Sequence, residues 1–332
     1  MSRELLGPDS RVGFTYLPGL KARVRHESGG YILKTNRAGF RCDHEFVPCK
    51  PPNTVRALLF GDSFTAGNGV SNSERYGDLL EALIPKLQVF NYALPGAAPD
   101  QQYVTYQEFA HELEHDVLIL AVHVQNVRRV RGQFRLWTNA SGEIVVHAKP
   151  YYVLEEGCLR LKHVPVPLEG EKYEDWVTTH PMPNLALPPD QTEAGPTLRR
   201  RSTGKPPARG YQPLPEYDEP ENPDWRLLAA ILREWIDSSD VPVVLVPLPY
   251  HAYVEGRSDP SSYQARFREL ADVTACTLHD PLPDLLRHPI RQRRRFRFRV
   301  DPHPTAAGHR AIASSLAPVV TAVLRRSRRG VR

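Results

Sequence analysis

Cysteine is scarce in this chain of 332 residues. The four thiols, Cys42, Cys49, Cys158 and Cys276, are scattered and form no C-x-x-C pair. That pattern argues against a disulfide framework and a cysteine-built metal cage, although Cys42 and Cys49 are near enough in sequence to approach each other in a loop. No metal and no cofactor are expected. Long hydrophobic runs are lacking as well. The opening residues, Met-Ser-Arg-Glu-Leu-Leu-Gly-Pro-Asp, carry no apolar stretch of the secretory kind, and no run approaches a membrane span, so a soluble, cytoplasmic protein is expected. Proline, by contrast, is abundant: 32 residues, far too many for a compact all-helical fold. A hydrophobic fraction of 41% suffices for a core, and the length fits one large domain with an insertion or two ordinary domains.

Helix and strand patterns alternate over most of the chain. A short apolar run at 55–60 reads as a buried strand, followed by a helix over 76–84, a strand over 87–92, a helix over 100–114 and a strand over 116–122. The pattern resumes with a helix over 224–238, a strand over 241–247, a helix over 261–273, a strand over 276–280 and a last helix over 305–324. Such alternation predicts a parallel sheet covered by helices on both faces, with a site beyond the carboxyl ends of the strands.

The first strand ends in Gly61-Asp62-Ser63. Gly61 permits a sharp exit, which can present Ser63 at the sheet edge. A serine hydroxyl is a weak nucleophile unless a general base lies within hydrogen-bond reach and a third group orients that base. Near the other end, Asp301-Pro-His303-Pro supplies both: His303 as base and acid, Asp301 to fix the imidazole tautomer. Alone, a Gly-Asp-Ser triplet reads more readily as a turn with an N-cap serine. The preceding strand and the distant Asp-x-His together favour the catalytic reading.

These blocks resemble the SGNH, or GDSL, family of serine hydrolases and acyltransferases. Gly61-Asp62-Ser63-Phe64-Thr65 is similar to its first block, Asn91-Tyr-Ala-Leu-Pro-Gly96 to its second and Asp301-Pro-His303 to its last. Asn126 stands where the third block would be, although the family usually has Gly two residues before this Asn and Asp after it, where this chain has Val124 and Val127. The resemblance implies a three-layer, flavodoxin-like α/β fold and an oxyanion hole made by the Ser63 and Gly96 amides and the Asn126 side chain. It covers residues 51–127 and 224–325.

The remainder divides into an N-terminal cap of extended segments (1–50), an insertion (128–223) and a basic tail (326–332). Thr35-Asn-Arg-Ala-Gly-Phe-Arg41 in the cap resembles a segment that precedes the first block in part of the family. In the insertion, Gln133-Phe-Arg-Leu-Trp137 and Gly142-Glu-Ile-Val-Val-His147 read as hairpin strands. Residues 181–223 hold 11 prolines around Arg199-Arg200-Arg201 and read as extended or disordered chain, either a mobile lid or a loop without a role.

Two other motifs compete for attention. His111-Glu-Leu-Glu-His115 matches the H-E-x-x-H zinc signature, but on a continuous helix both histidines would lie opposite the stripe formed by Tyr103, Tyr106, Phe109, Ala110 and Leu113 and face water. Six arginines at 291–299 and the arginine tail produce the net charge of +5, and within the former Arg295-Phe-Arg297-Phe-Arg299-Val reads as an extended segment with one basic face leading to Asp301. No nucleic-acid-reading motif accompanies it, so no nucleic-acid partner is expected. Either it is a solvated surface, or Arg295, Arg297 and Arg299 help bind an anionic substrate; Asp62, beside the serine, is a further candidate for substrate binding. The expected activity is hydrolysis or transfer of an O-acyl group, acetyl foremost, on a carbohydrate or related small molecule. The alternative is a catalytically silent binding or scaffold protein on the same fold.

Overall fold

The computed structural model describes residues 5–139, 141–180 and 212–330. Apolar runs buried on both sides build an all-parallel sheet of β1 (Val55–Gly61), β2 (Leu87–Asn91), β3 (Val117–His123), β4 (Val243–Leu248) and β5 (Thr277–Leu278). The spatial order is β2-β1-β3-β4-β5, the doubly wound order of flavodoxin-like folds.

The two faces separate by the strand period of two. Ala57, Leu59, Val89, Ile119, Val244 and Val246 face α1 (Tyr76–Leu83) and α5 (Ala306–Gly330), which contribute Leu80, Leu316 and Val320. Leu58, Phe60, Phe90, Leu118, Leu120 and Leu245 face α2 (Pro99–Phe109), α3 (Pro223–Asp237) and α4 (Ser261–Asp272), which contribute Tyr106, Leu228, Trp235 and Phe267. Each Val, Leu, Ile or Phe among these, fully buried, contributes about 1.5–3 kcal/mol. The expected three-layer fold is therefore present. Within α5, Ala306–Ser327 is long and apolar enough to cross a membrane by length and composition alone, yet half of it is buried inside the fold.

The cap consists of two antiparallel hairpins, Leu6–Asp9 with Gly13–Tyr16 and Lys21–Val24 with Tyr31–Lys34. Its Phe14, Tyr16, Leu33 and Phe40 join the second of the two cores, so the cap is packed into the domain. In the insertion, Phe134–Thr138 and Ile144–Ala148 pair as expected, with Glu171–Lys172 added as a third strand. A second hairpin, Tyr151–Glu155 with Cys158–Lys162, was not foreseen. The segment 181–211, with Arg199, Arg200 and Arg201, lies outside the described residues.

Three expectations about elements change. The helix expected over 100–114 stops at Phe109, and the chain turns at Ala110 to reach β3. His111 and His115 are therefore not on one helical face: His111 is exposed, whereas His115 is partly buried and its Nδ1 lies 2.6 Å from the Leu113 carbonyl. Among the described residues no group of three or more His, Cys, Asp or Glu is placed to hold a metal ion. Second, the strand at 276–280 shrinks to two residues at the sheet edge. Third, Arg295–Val300 is no strand: a one-turn helix, Ile290–Arg293, leads into turns, with a single bridge between Arg297 and Pro304.

Candidate active site

β1 delivers Ser63 through a turn that leaves no room for side chains. A Cβ on Gly61 would lie 2.1 Å from Thr65 Oγ1 and 3.0 Å from the Ala121 carbonyl. Asp62 then caps the single-turn helix Ser63–Ala66, its Oδ1 accepting the Phe64 amide at 3.0 Å. Gly67 closes the turn in the left-handed region, φ 77°, with its N–H donating to the Ser63 carbonyl. At the first position of that helix the Ser63 N–H has no intrahelical acceptor.

The segment bearing Asp301 and His303 arrives from the far end of the chain. His303 Nε2 lies 2.7 Å from Ser63 Oγ, and His303 Nδ1 is hydrogen-bonded to Asp301 Oδ1. The same Asp301 oxygen accepts the backbone N–H of His303 at 2.9 Å. That local turn is why a two-residue Asp-to-His spacing works: the carboxylate reaches the backbone and ring of the same histidine. Burial acts to raise the Asp301 carboxyl, but the His303 ring bond and charge, the His303 amide and a bond from His26 overcome it and hold the group down at about 2. Asp301 is thus ionised throughout the physiological range.

The other expected residues divide. Gly96 lies in the loop after β2, φ 73°, and that loop is tied to the nucleophile strand by the bond from the Leu94 amide to the Gly61 carbonyl at 3.2 Å. Asn126 is wholly buried in the turn following β3. Its Oδ1 accepts from Arg129 at 3.1 Å, while its Nδ2 meets no acceptor at hydrogen-bond geometry, although it stands near enough to Asp62 to favour that carboxylate's charge. A buried amide with an unused N–H is what an oxyanion donor requires before substrate arrives. Both turns follow strands beside β1, at the point where the strand order reverses, the ordinary ligand position in such sheets.

Asp62 is not available to a substrate. Its side chain is fully buried, capping Phe64 and pairing with Arg129 at 3.2 Å, and burial raises its pKa against the opposing pull of Arg129. Arg297 is also engaged: it pairs with Glu255 at 2.7 Å and donates to the Phe298 carbonyl. Arg295 and Arg299 remain exposed. Phe296 is buried, but Arg297 and Phe298 are both half-buried, so the expected segment with one basic face is replaced by turns.

A small apolar recess of about 50 Å³ lies among the sequence neighbours of Ser63 and His303, lined among others by Phe64, Leu248, Val254, Phe296, Pro302 and Ile312. Behind Ser63, the Phe64 ring stacks on the buried His123 at 3.8 Å. Burial, followed by the charges of Arg129, His303 and His251, keeps His123 neutral, its pKa well below the ordinary histidine value.

Residues not anticipated as functional come from the cap. Arg41, fully buried, donates to the carbonyls of Ala66 (2.7 Å), Gly67 (2.6 Å) and Val70 and to Asn72 Oδ1 (2.9 Å), pinning the backbone just past Ser63. Its segment was recognisable as a motif, but the reason for the arginine was not. His26 and Glu27, which reach Asp301 and its neighbours, carried no signal in the sequence.

No family model matches the sequence, and no curated protein does. Similar solved structures include a lipolytic G-D-S-L family protein from Veillonella parvula (14% identity, 81% of this chain and 99% of that one, TM-score 0.43). Others are a putative acylhydrolase from Bacteroides fragilis (12%, 83% and 91%, TM-score 0.42) and a two-domain esterase active on acetylated mannans (11%, 82% and 50%, TM-score 0.40). Likeness at this level assigns no residue role and no substrate. The strand order of the sheet, the Gly-Asp-Ser turn at the end of β1 and the Asp-x-His segment before α5 give this chain the three-layer, flavodoxin-like fold that its resemblance to the SGNH, or GDSL, hydrolases implies.

Proposed function

We propose that the protein is a serine-dependent O-acyl ester hydrolase or acyltransferase working through an acyl-enzyme. The observation that carries this reading is the continuous hydrogen-bonded chain Ser63–His303–Asp301, assembled from opposite ends of the sequence at the carboxyl edge of the sheet. In the first half-reaction Ser63 Oγ attacks the ester carbonyl carbon and its proton passes to His303 Nε2. The carbonyl oxygen takes the negative charge, facing the Ser63 and Gly96 amides and Asn126 Nδ2, each donor worth about 3–4 kcal/mol of barrier when well aimed. As the tetrahedral centre collapses, the alcohol leaves with the proton from His303. A water or a sugar hydroxyl then repeats the sequence on the acyl-enzyme, and Asp301 stays ionised throughout.

The proposed substrate is a small O-acylated molecule, with an acetylated carbohydrate as the leading candidate and the apolar pocket beside Phe64 as the seat of the acyl group. Nitrophenyl esters of rising acyl length, with acetylated sugars in parallel, test this. The expected result is turnover that falls as the chain lengthens and vanishes in Ser63→Ala. An anionic substrate using the exposed Arg295 and Arg299 would lose kcat/KM with rising salt while nitrophenyl acetate would not. No turnover of any ester by the wild type would leave the silent binding protein as the better reading.

A further inference from the structure

His303 occupies one oxygen of Asp301. The other, Oδ2, lies 3.1 Å from His26 Nε2, contributed by a cap residue 275 positions earlier in the chain. The ionised Asp301 oxygen can only accept, so the ring nitrogen facing it, Nε2, carries a proton, while Nδ1 has the Ser28 amide at 3.2 Å and the Ser28 hydroxyl at 3.0 Å. The ring is held edge-on to Phe298 (4.4 Å between centroids) and Tyr31 (6.0 Å). Gly69, φ 90°, makes this approach possible, because a Cβ there would lie 2.5 Å from Phe298 Cε2 and 2.9 Å from His26 Cε1. Next to His26, the Glu27 carboxylate accepts three consecutive amides of the acid-bearing loop: Arg299 (3.1 Å), Val300 (2.9 Å) and Asp301 (2.6 Å).

We infer that His26 is a positioning residue for the Ser63–His303–Asp301 chain, its Nε2–H locking the second carboxylate oxygen of Asp301 while Glu27 anchors the backbone beneath it. The final torsion of an aspartate is soft, so a carboxylate with one partner swings about that bond; donors on different oxygens fix it. The need is specific here, since the Asp301 side chain is 28% exposed and water competes for its free oxygen. The ionisable or charged groups around His26 are Asp301, with His303 beyond it, adjoining Glu27, and Tyr31, over which Arg41 sits at 5.2 Å. Loss of the His26 donor concentrates the Asp301 charge on the oxygen facing His303, which favours the imidazolium.

This inference rests on the proposed function, and the experiment separates the two. In the full chain, His26→Phe keeps the ring contacts and removes the donor, whereas His26→Gln returns an N–H near the position of Nε2. Nitrophenyl acetate turnover and the rate of Ser63 phosphonylation are measured against pH. His26→Phe is expected to lower kcat about ten- to a hundredfold with KM nearly unchanged, the scale of a misplaced catalytic group. The acid limb of kcat/KM should move to higher pH, and His26→Gln should restore most of both. If His26→Phe does not fold, His26→Asn, whose shorter side chain leaves its N–H short of Asp301, replaces it in the comparison with His26→Gln. Wild-type kcat and an unmoved acid limb in the donor-less variant would overturn the positioning role while leaving the serine mechanism standing. Absence of Ser63 phosphonylation in the wild type would instead remove the serine mechanism, and this inference with it.

Discussion

Residues 61–67 and residues 297–304 meet at the Ser63–His303 hydrogen bond, yet they are held in different ways. The nucleophile turn is stabilised largely by its own backbone: Gly61 too crowded for a side chain, Asp62 as cap, Gly67 in the left-handed region, all buried against β1 and β3. The acid–base segment has almost no regular structure and is partly exposed, and the cap secures it through Glu27 and His26. The cap therefore touches both sides, Arg41 behind the serine and His26 behind the aspartate. Both segments thus depend on the cap: the Ser63 turn on the buried Arg41 in addition to its own capping, the 297–304 segment on Glu27 and His26.

The largest effect expected is on chemistry. Ser63→Ala and His303→Ala should each lower ester turnover by about three orders of magnitude or more while leaving the urea midpoint nearly unchanged, because both side chains line the site rather than fill the core. Retention of a tenth of the activity by the Ser63 variant would remove the serine from the mechanism.

Arg41→Met sharpens the comparison from the other side. It leaves the carbonyls of Ala66, Gly67 and Val70 buried without their donor, and a loss of about 3–5 kcal/mol in urea unfolding is expected, as for a buried charged network broken at one member. A loss below about 1 kcal/mol would show that the turn after Ser63 supports itself.

Much of this architecture was legible because its causes are local. The continuous apolar runs of β1 and β3, the Gly-Asp-Ser exit and the Asp-Pro-His run each carry their meaning within a few residues. The hairpin at 151–162 also had a readable turn, Glu156-Gly157, both at positive φ, and was missed only because its strands are short and mixed in polarity. What could not be read depended on partners distant in sequence. Arg297 resembled a free basic residue until Glu255 was found beside it, and Asp62 resembled a substrate ligand until Arg129 closed over it. His26 lies in an ordinary polar turn, and only the folded chain brings it to Asp301.

Asn126→Ala should reduce kcat about ten- to a thousandfold with little change in KM, as for a donor used mainly in the transition state. An unchanged kcat would place the third oxyanion donor elsewhere.

The smallest predicted effect is on stability at low pH. Asp301 has a folded pKa of about 2, below its ordinary value, so it stabilises the fold above the unfolded pKa near 4, and that contribution is lost as pH falls toward 2. The wild type should exceed Asp301→Asn by on the order of 2 kcal/mol at pH 6, and the gap should close between about pH 4 and pH 2. A gap independent of pH would mean that the carboxylate charge is not what secures this segment.

The most direct test of the central claim is covalent labelling of the full chain with a fluorophosphonate, followed by peptide mapping. The account predicts a single adduct on Ser63, formed rapidly in the wild type and suppressed in His303→Ala. No adduct, or an adduct on Ser63 that forms equally fast without His303, would contradict it.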